Sequence, residues 1–474
     1  MSSSSALTIL SNCTVFPDQK STMGDLKLSI SDLNMLLSHY IQKGCLFTTP
    51  LISSDTLITH LINSLSSTLS LFPPLAGRFI TDADGYVFVS CNDAGADFIH
   101  ASAVDLTVAD LLSPIDVPQH LFKQLFPFHR KISHSAHSSP VMAIQVTDLA
   151  DGIFIGCAVS HAVVDGTSLW NFFNTFADVS RGVTRASNIP DFRRESMLIS
   201  KVPLRLPEGE LTVTFNADEP LRERIFSFSR QAIQNLKAEV NNRESSREAV
   251  ELSGKLSNDA QHKTVTSKEA ISRNVTFETT EISSFQSLCA LTWKCVTRAR
   301  CLEGSKTTTF RMAVNIRHRL DPKLSDRYFG NAIQSVATCS SACEVESRDL
   351  RWIAEQLNKS VKAYDSAVVR RAVENWEREP KCFELGNHDG ATVQMGSSPR
   401  FPMYDNDFGW GRPLAVRSGG ANKFDGKISA FPGKDGGGAV DLEMVLAPQT
   451  MARLECDPEF MLYVSSYPRH VLES

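Results

Sequence analysis

Two apolar runs joined by a tight turn, with a helical stripe directly behind them, constrain this chain more than any other stretch. Residues 141–147 (VMAIQVT) and 153–159 (IFIGCAV) are dense in aliphatic and β-branched side chains, and the intervening DLADG offers Asp151-Gly152 as a hairpin turn. Runs this apolar belong in the middle of a sheet, where both faces are covered. The segment SHAVVDGTSLWNFFNTFADVSRG follows at once. Its Leu169, Phe172, Phe173, Phe176 and Val179 fall on one helical stripe, and Gly182 supplies a stop. The order is therefore strand, polar turn, helix.

The rest of the chain extends this into a mixed α/β reading with strands in both halves. At 474 residues, two or three domains are expected. Leu57, Ile58, Leu61, Ile62, Leu65 and Leu69 keep helical spacing after a cap at Ser54 or Asp55, and Pro73 and Pro74 end the run. Ser229 can cap a helix carrying Ile233, Leu236 and Val240. Residues 283–300 and 350–377 read as helical and 307–317 as a strand. Prolines and mixed charge without a sustained period place a crossover linker at 186–222, between an N-terminal domain at 1–185 and a C-terminal one at 223–474. The polar stretch at about 241–276 reads as a mobile insertion.

Composition removes whole classes of function. Hydrophobic residues at 42% and charged ones at 21% exclude a disordered, collagen-like or coiled-coil chain. A net charge of −5 argues against a nucleic-acid binder working through bulk positive charge. No apolar run approaches the roughly 18 residues of a membrane span, and the amino terminus lacks a secretory pattern, so a cytoplasmic location is expected; the protein is also expected to be a monomer. The eleven cysteines form no Cys-x-x-Cys pair and read as reduced packing thiols, leaving no metal site expected.

His161 is the first candidate for chemistry, because it follows a buried strand and precedes a helix, where a fold can present a side chain at a cleft. Asp165 and Gly166 complete the run His-Ala-Val-Val-Asp-Gly. A neutral imidazole suits general-base catalysis, taking a proton from an acceptor hydroxyl or amine as it attacks an activated carbonyl. Asp165 either orients the imidazole or turns away into a structural ion pair, and the second reading is favoured. No Gly-x-Ser-x-Gly elbow occurs, and Cys157 lies inside an apolar strand, so a protein nucleophile is disfavoured. In YDNDFGWGRP (404–413) the aromatics and glycines after Asp407 read as a tight turn packed on a core. Gly409-x-Gly411 lacks the third glycine of a nucleotide fingerprint, and GGANKFDGKI (419–428) fails the spacing of a phosphate loop.

Taken together, HAVVDG at 161–166 and DFGWG at 407–411 resemble the plant BAHD acyltransferases, acyl-CoA-dependent enzymes with an HxxxD motif. PLAGRF (74–79), FQSLCALTWKCVTRAR (285–300), VNIRHRLDP (314–322) and YFGN (328–331) agree in order, so the resemblance covers nearly the whole chain. It implies two chloramphenicol-acetyltransferase-like α/β domains, mixed sheets flanked by helices, with a channel between them. It implies acyl-CoA as a cosubstrate, no permanently bound cofactor, and a small-molecule alcohol or amine as acceptor. His161 matches the family's base, and Asp165 its motif carboxylate, pairing with Arg317 or, as runner-up, Arg319. Asp407 matches a residue that contributes structurally. Gly396-Ser397-Ser398 stands where many relatives carry Thr-Ser-Trp, so Ser397 or Ser398 is the candidate donor to the substrate oxyanion. GSSPRF before DFGWG, with the polar insertion, resembles a poorly characterised branch of the family. The alternatives are a lyase or other non-transfer reaction in the same channel, a non-catalytic binding relative, and a peptide-assembly condensation domain. Those domains usually carry a second His just before the motif, where this chain has Ser160.

Overall fold

The computed structural model describes residues 7–112, 116–183, 189–242 and 281–465. Within them the chain builds two six-stranded sheets and one small three-stranded sheet. The first large sheet runs in the order Thr8–Val15, Ala96–Ala103, Met142–Leu149, Gly152–Val159, Ile41–Thr48, Ala415–Ser418. Its two middle strands are the apolar pair. They run antiparallel, with Asp148 opposite Ile153, and every residue of Gly152–Val159 is buried. Alternation explains the unbroken apolar run: Ile155, Cys157 and Val159 enter one core, while Phe154 on the other face packs with Leu46 and Phe126.

The second sheet runs Ile333–Ser341, Thr307–Asn315, Thr392–Met395, Lys427–Pro432, Val440–Leu446, Arg222–Phe228. Thr392–Met395 is parallel to both neighbours, and the other pairs are antiparallel. One face carries Phe226, Phe228, Ile428, Ala430, Leu442 and Met444 into a core with the helices Arg230–Asn241, Ser284–Arg300 and Leu350–Lys362. The halves interlock. The strand Ala415–Ser418 closes the edge of the first sheet against Ile41–Thr48, and the helix Ser366–Arg378 puts Val369, Val373 and Trp376 into the first core. The stretch 223–474 thus supplies one strand and one helix to the N-terminal half.

Several local expectations change. The helix Ser54–Leu71 is capped by Ser53, not by Ser54 or Asp55, because Ser53 is the extended residue whose hydroxyl accepts from the Thr56 amide. Residues 350–377 form two helices, since Asp365 caps a new one at Ser366 by accepting from the Val368 amide. The cysteines divide: Cys45, Cys91, Cys157, Cys289, Cys295 and Cys382 are buried, whereas Cys13, Cys301, Cys339, Cys343 and Cys456 are exposed and pack little. From residue 243 onward the expected insertion lies outside the described residues.

Candidate active site

The strand Gly152–Val159 ends against a turn at 161–163, and the helix Gly166–Ser180 begins immediately after it. Ala162, Val163 and Val164 are buried, which anchors the turn and points its two polar ends in different directions. His161 is held by its backbone. Its amide donates to Ser133 Oγ at 2.9 Å, and its carbonyl accepts from Asn331 Nδ2 at 2.7 Å. Asn331 is fixed in turn by Asp32, whose Oδ1 accepts from the Asn331 amide and side chain at 2.7 and 2.9 Å. The imidazole Nδ1 lies 3.1 Å from the Val164 carbonyl oxygen. A carbonyl can only accept, so Nδ1 carries the proton and Nε2 keeps its lone pair. Among the described residues nothing hydrogen-bonds Nε2, and the residue keeps part of its surface open. Burial lowers the His161 pKa, and the positive charge of Lys427 lowers it further. The ring is therefore neutral near pH 7.

Asp165 faces away from that ring. It caps the helix by accepting from the Ser168 amide at 2.9 Å, and its two oxygens meet Arg317 at 2.7 and 3.1 Å. The Ala332 amide adds a fourth bond at 3.1 Å. Burial alone would raise this carboxyl, yet the Arg317 charge and the hydrogen bonds hold it below the usual range. Arg317 is fully buried and also donates to the Tyr328 and Gly330 carbonyls. Arg319 instead reaches the Val361 and Tyr364 carbonyls at the end of another helix. The ion pair thus bolts the turn below His161 to the second half of the chain.

Asp407 stands apart. Its Oδ1 accepts from the Gly409 and Gly411 amides at 2.8 and 3.1 Å, and Oδ2 lies 3.4 Å from Arg181. Gly409 and Gly411 both take positive φ, a backbone conformation that glycine adopts without strain. The resulting turn seats Phe408 among Phe47, Phe173 and Phe176, with Trp410 stacked on it. Asp407 also lines a surface cleft of about 650 Å³ that does not include His161. Two further clefts, of about 480 and 550 Å³, likewise leave His161 out of their linings.

Ser397 and Ser398 are partly buried in the loop that leads to Phe401. The Phe401 ring lies over Gly166, where a Cβ would clash with it, so this loop packs beside the start of the motif helix. Ser398 Oγ accepts from the Arg400 amide at 3.2 Å. Cys157, the nearest thiol in sequence, is sealed in the core, and burial pushes its pKa far up. Among the described residues no group of three or more His, Cys, Asp or Glu side chains could hold a metal ion, and no helix is long and apolar enough to cross a membrane. The sequence reading missed Ser133, Asp32, Asn331 and Lys427. Their types are ordinary and their spacing to His161 is irregular, so only the fold gathers them.

The arrangement offers one neutral acceptor nitrogen to which, among the described residues, no hydroxyl or thiol is hydrogen-bonded, and this suits deprotonation of an incoming group. An uncharacterized acetyltransferase of Arabidopsis thaliana is 31% identical over 96% of this chain and 98% of its own. The BAHD acyltransferase DCR of the same plant is 31% identical over 92% and 88%. Among solved structures, vinorine synthase superposes with a TM-score of 0.73 at 22% identity, covering 97% of this chain and 99% of its own. Fusarium sporotrichioides TRI101, crystallised with coenzyme A and T-2, gives 0.71 at 18% identity over 94% and 99%. The sequence model of the Transferase family matches residues 5–461. With that match spanning both sheets and the His161 turn, the chain belongs to the Transferase family, that of the BAHD acyltransferases.

Proposed function

We propose that this protein transfers an acyl group from a coenzyme A thioester to a hydroxyl or amine of a small-molecule acceptor, with His161 as general base. The observation that carries this reading is the His161 ring itself: Nδ1 is committed to the Val164 carbonyl, and Nε2 is left as a free, neutral acceptor. Family membership and the coenzyme A held by the TRI101 crystal support the donor class.

The chemistry then needs few parts. Nε2 takes the acceptor's proton as its oxygen or nitrogen attacks the thioester carbonyl. The tetrahedral oxyanion collapses, the C–S bond breaks, and the thiolate leaves with the proton returned by the imidazolium. A hydroxyl of Ser397 or Ser398 is our candidate donor to the oxyanion. Asp165 and Arg317 take no proton in this scheme. They fix the turn that aims the ring, and Asn331 and Ser133 hold its backbone. The reading requires a passage between the two halves by which substrates reach the ring.

The pH dependence tests the base. Only neutral His161 is active, and its pKa lies below the ordinary imidazole value. Acceptor-dependent release of coenzyme A is therefore expected to hold steady near neutrality and to fall on the acid side through one proton, with a midpoint below about pH 6.5. A panel of acyl-CoA and acceptor pairs assayed by thiol detection gives this profile. Absence of an acid limb in kcat/KM, or no acceptor-dependent release with any pair, overturns the assignment.

A further inference from the structure

The second sheet turns a polar face toward the first half, opposite its helix-covered apolar one. Alternation along Lys427–Pro432 puts Lys427, Ser429 and Phe431 on that face, with Ser429 opposite Glu443 and Lys427 in register with Val445 and, beyond it, Glu223. Lys43 of the first sheet meets the same face. Its ammonium lies 4.5 Å over the Phe431 ring and donates to Ser418 Oγ at 2.6 Å. Lys423 is placed between the two carboxylates, 2.9 Å from Glu223 and in contact with Glu443, and Gln119 also donates to Glu223. Both glutamate side chains are 2% exposed.

Three ammonium groups thus share this seam with two carboxylates, and both carboxylates are taken by Lys423. Lys427 is the group left over. Among the described residues its ammonium has no carboxylate within ion-pair distance and no hydrogen-bond acceptor; Glu443 attracts it only from beyond contact, and the Phe424 ring centroid lies 5.9 Å away. It lies against the backbone of Gly396, where any Cβ would collide with it, and Gly396 is the residue before Ser397. The Lys427 side chain is partly buried and its ammonium carries no ion pair of its own, so it is free to meet an anion brought from outside the fold.

We infer that the Lys427 ammonium, backed by Lys43, binds a carboxylate carried by the substrate that reaches His161. The inference rests on the acyl-transfer reading and narrows its substrates to acids. Burial pushes Lys427 down to about 8, with Lys43 and Lys423 adding repulsion, so it remains charged near neutrality. Burial also pushes Glu223 up to about 8, which leaves the seam with still less negative charge of its own. The phosphates of coenzyme A are separated from the thioester by the whole pantetheine arm. A cation whose charge acts on His161 therefore meets a group attached closely to the reacting acyl chain or to the acceptor.

The test compares each acid with its methyl ester in two arms. One arm varies the donor, malonyl-CoA against the same thioester with its free carboxylate methylated, and the other varies the acceptor, hydroxy acids and amino acids against their esters. The wild-type protein is expected to favour the acid in one arm by about tenfold to a hundredfold in kcat/KM, the span of a charged hydrogen bond. In Lys427→Met and Lys427→Gln that ratio is expected to fall to near one, chiefly through KM, while Lys427→Arg keeps a preference for the acid. The arm that responds identifies the carrier of the carboxylate. An unchanged ratio in Met or Gln variants with wild-type melting temperatures overturns the inference. Calorimetry with malonate and benzoate separates its failure from that of acyl transfer. Binding to the wild type that Lys427→Gln abolishes supports the site even if no pair turns over, and equal binding or no binding by both proteins overturns it.

Discussion

Replacing His161 with Ala is expected to lower kcat by about 10²–10⁴-fold, the usual worth of a positioned general base, while leaving the melting temperature close to the wild-type value. The two parts of this expectation have separate origins. The ring is partly open and makes one hydrogen bond, to the Val164 carbonyl, so its removal costs little packing. The turn is anchored by other groups: Ser133 and Asn331 on the His161 backbone, and Asp165 on Arg317. Steady-state kinetics paired with thermal melts give both readings. Full activity in the variant removes His161 from the mechanism, and a large loss of stability means that the ring is core rather than site.

The opposite signature is expected at the ion pair. Asp165→Ala leaves the Arg317 guanidinium buried without a counter-charge and deletes a helix cap, and Arg317→Ala strands the carboxylate in the same way. Each is expected to cost about 3–5 kcal/mol of stability, read from denaturant midpoints. The double variant Asp165→Ala/Arg317→Ala costs less than the two losses added, because neither charge is then left alone. The pair also carries a pH sign. The Asp165 pKa is lowered on folding, so its contribution is complete above the unfolded carboxylate value of about 4 and disappears as pH falls through the lower folded value. Stable Asp165→Ala protein that is merely slow would mean that the carboxylate orients the base.

How much of this is legible in the sequence depends on how local each signal is. The hairpin and the helix after it are readable because their periodicities are strong and uninterrupted over 141–179. The break at Asp365 is not, since Ala363 and Tyr364 continue a helical composition and only the cap chemistry of Asp365 divides the run. The strand Ala415–Ser418 reads simply as part of the C-terminal half, because only tertiary pairing carries it to Ile41–Thr48. At the site, His161 and Asp165 share one motif and are found together. Asp32 and Asn331 lie 299 residues apart and meet only when the halves close. Lys427 sits in a glycine-rich stretch that reads as a turn. Its surroundings arise from the pairing of Thr392–Met395 with Lys427–Pro432, which no local pattern announces.

The claim on which the rest depends is that the proton accepted by His161 belongs to an acceptor that ends up acylated. Coenzyme A thiol and acylated product, quantified from the same reaction by thiol titration and mass spectrometry, test it most directly. They are expected to appear in equal amounts, and only when acceptor is present. Thiol released without acylated product, or acceptor converted without thiol release, would contradict it.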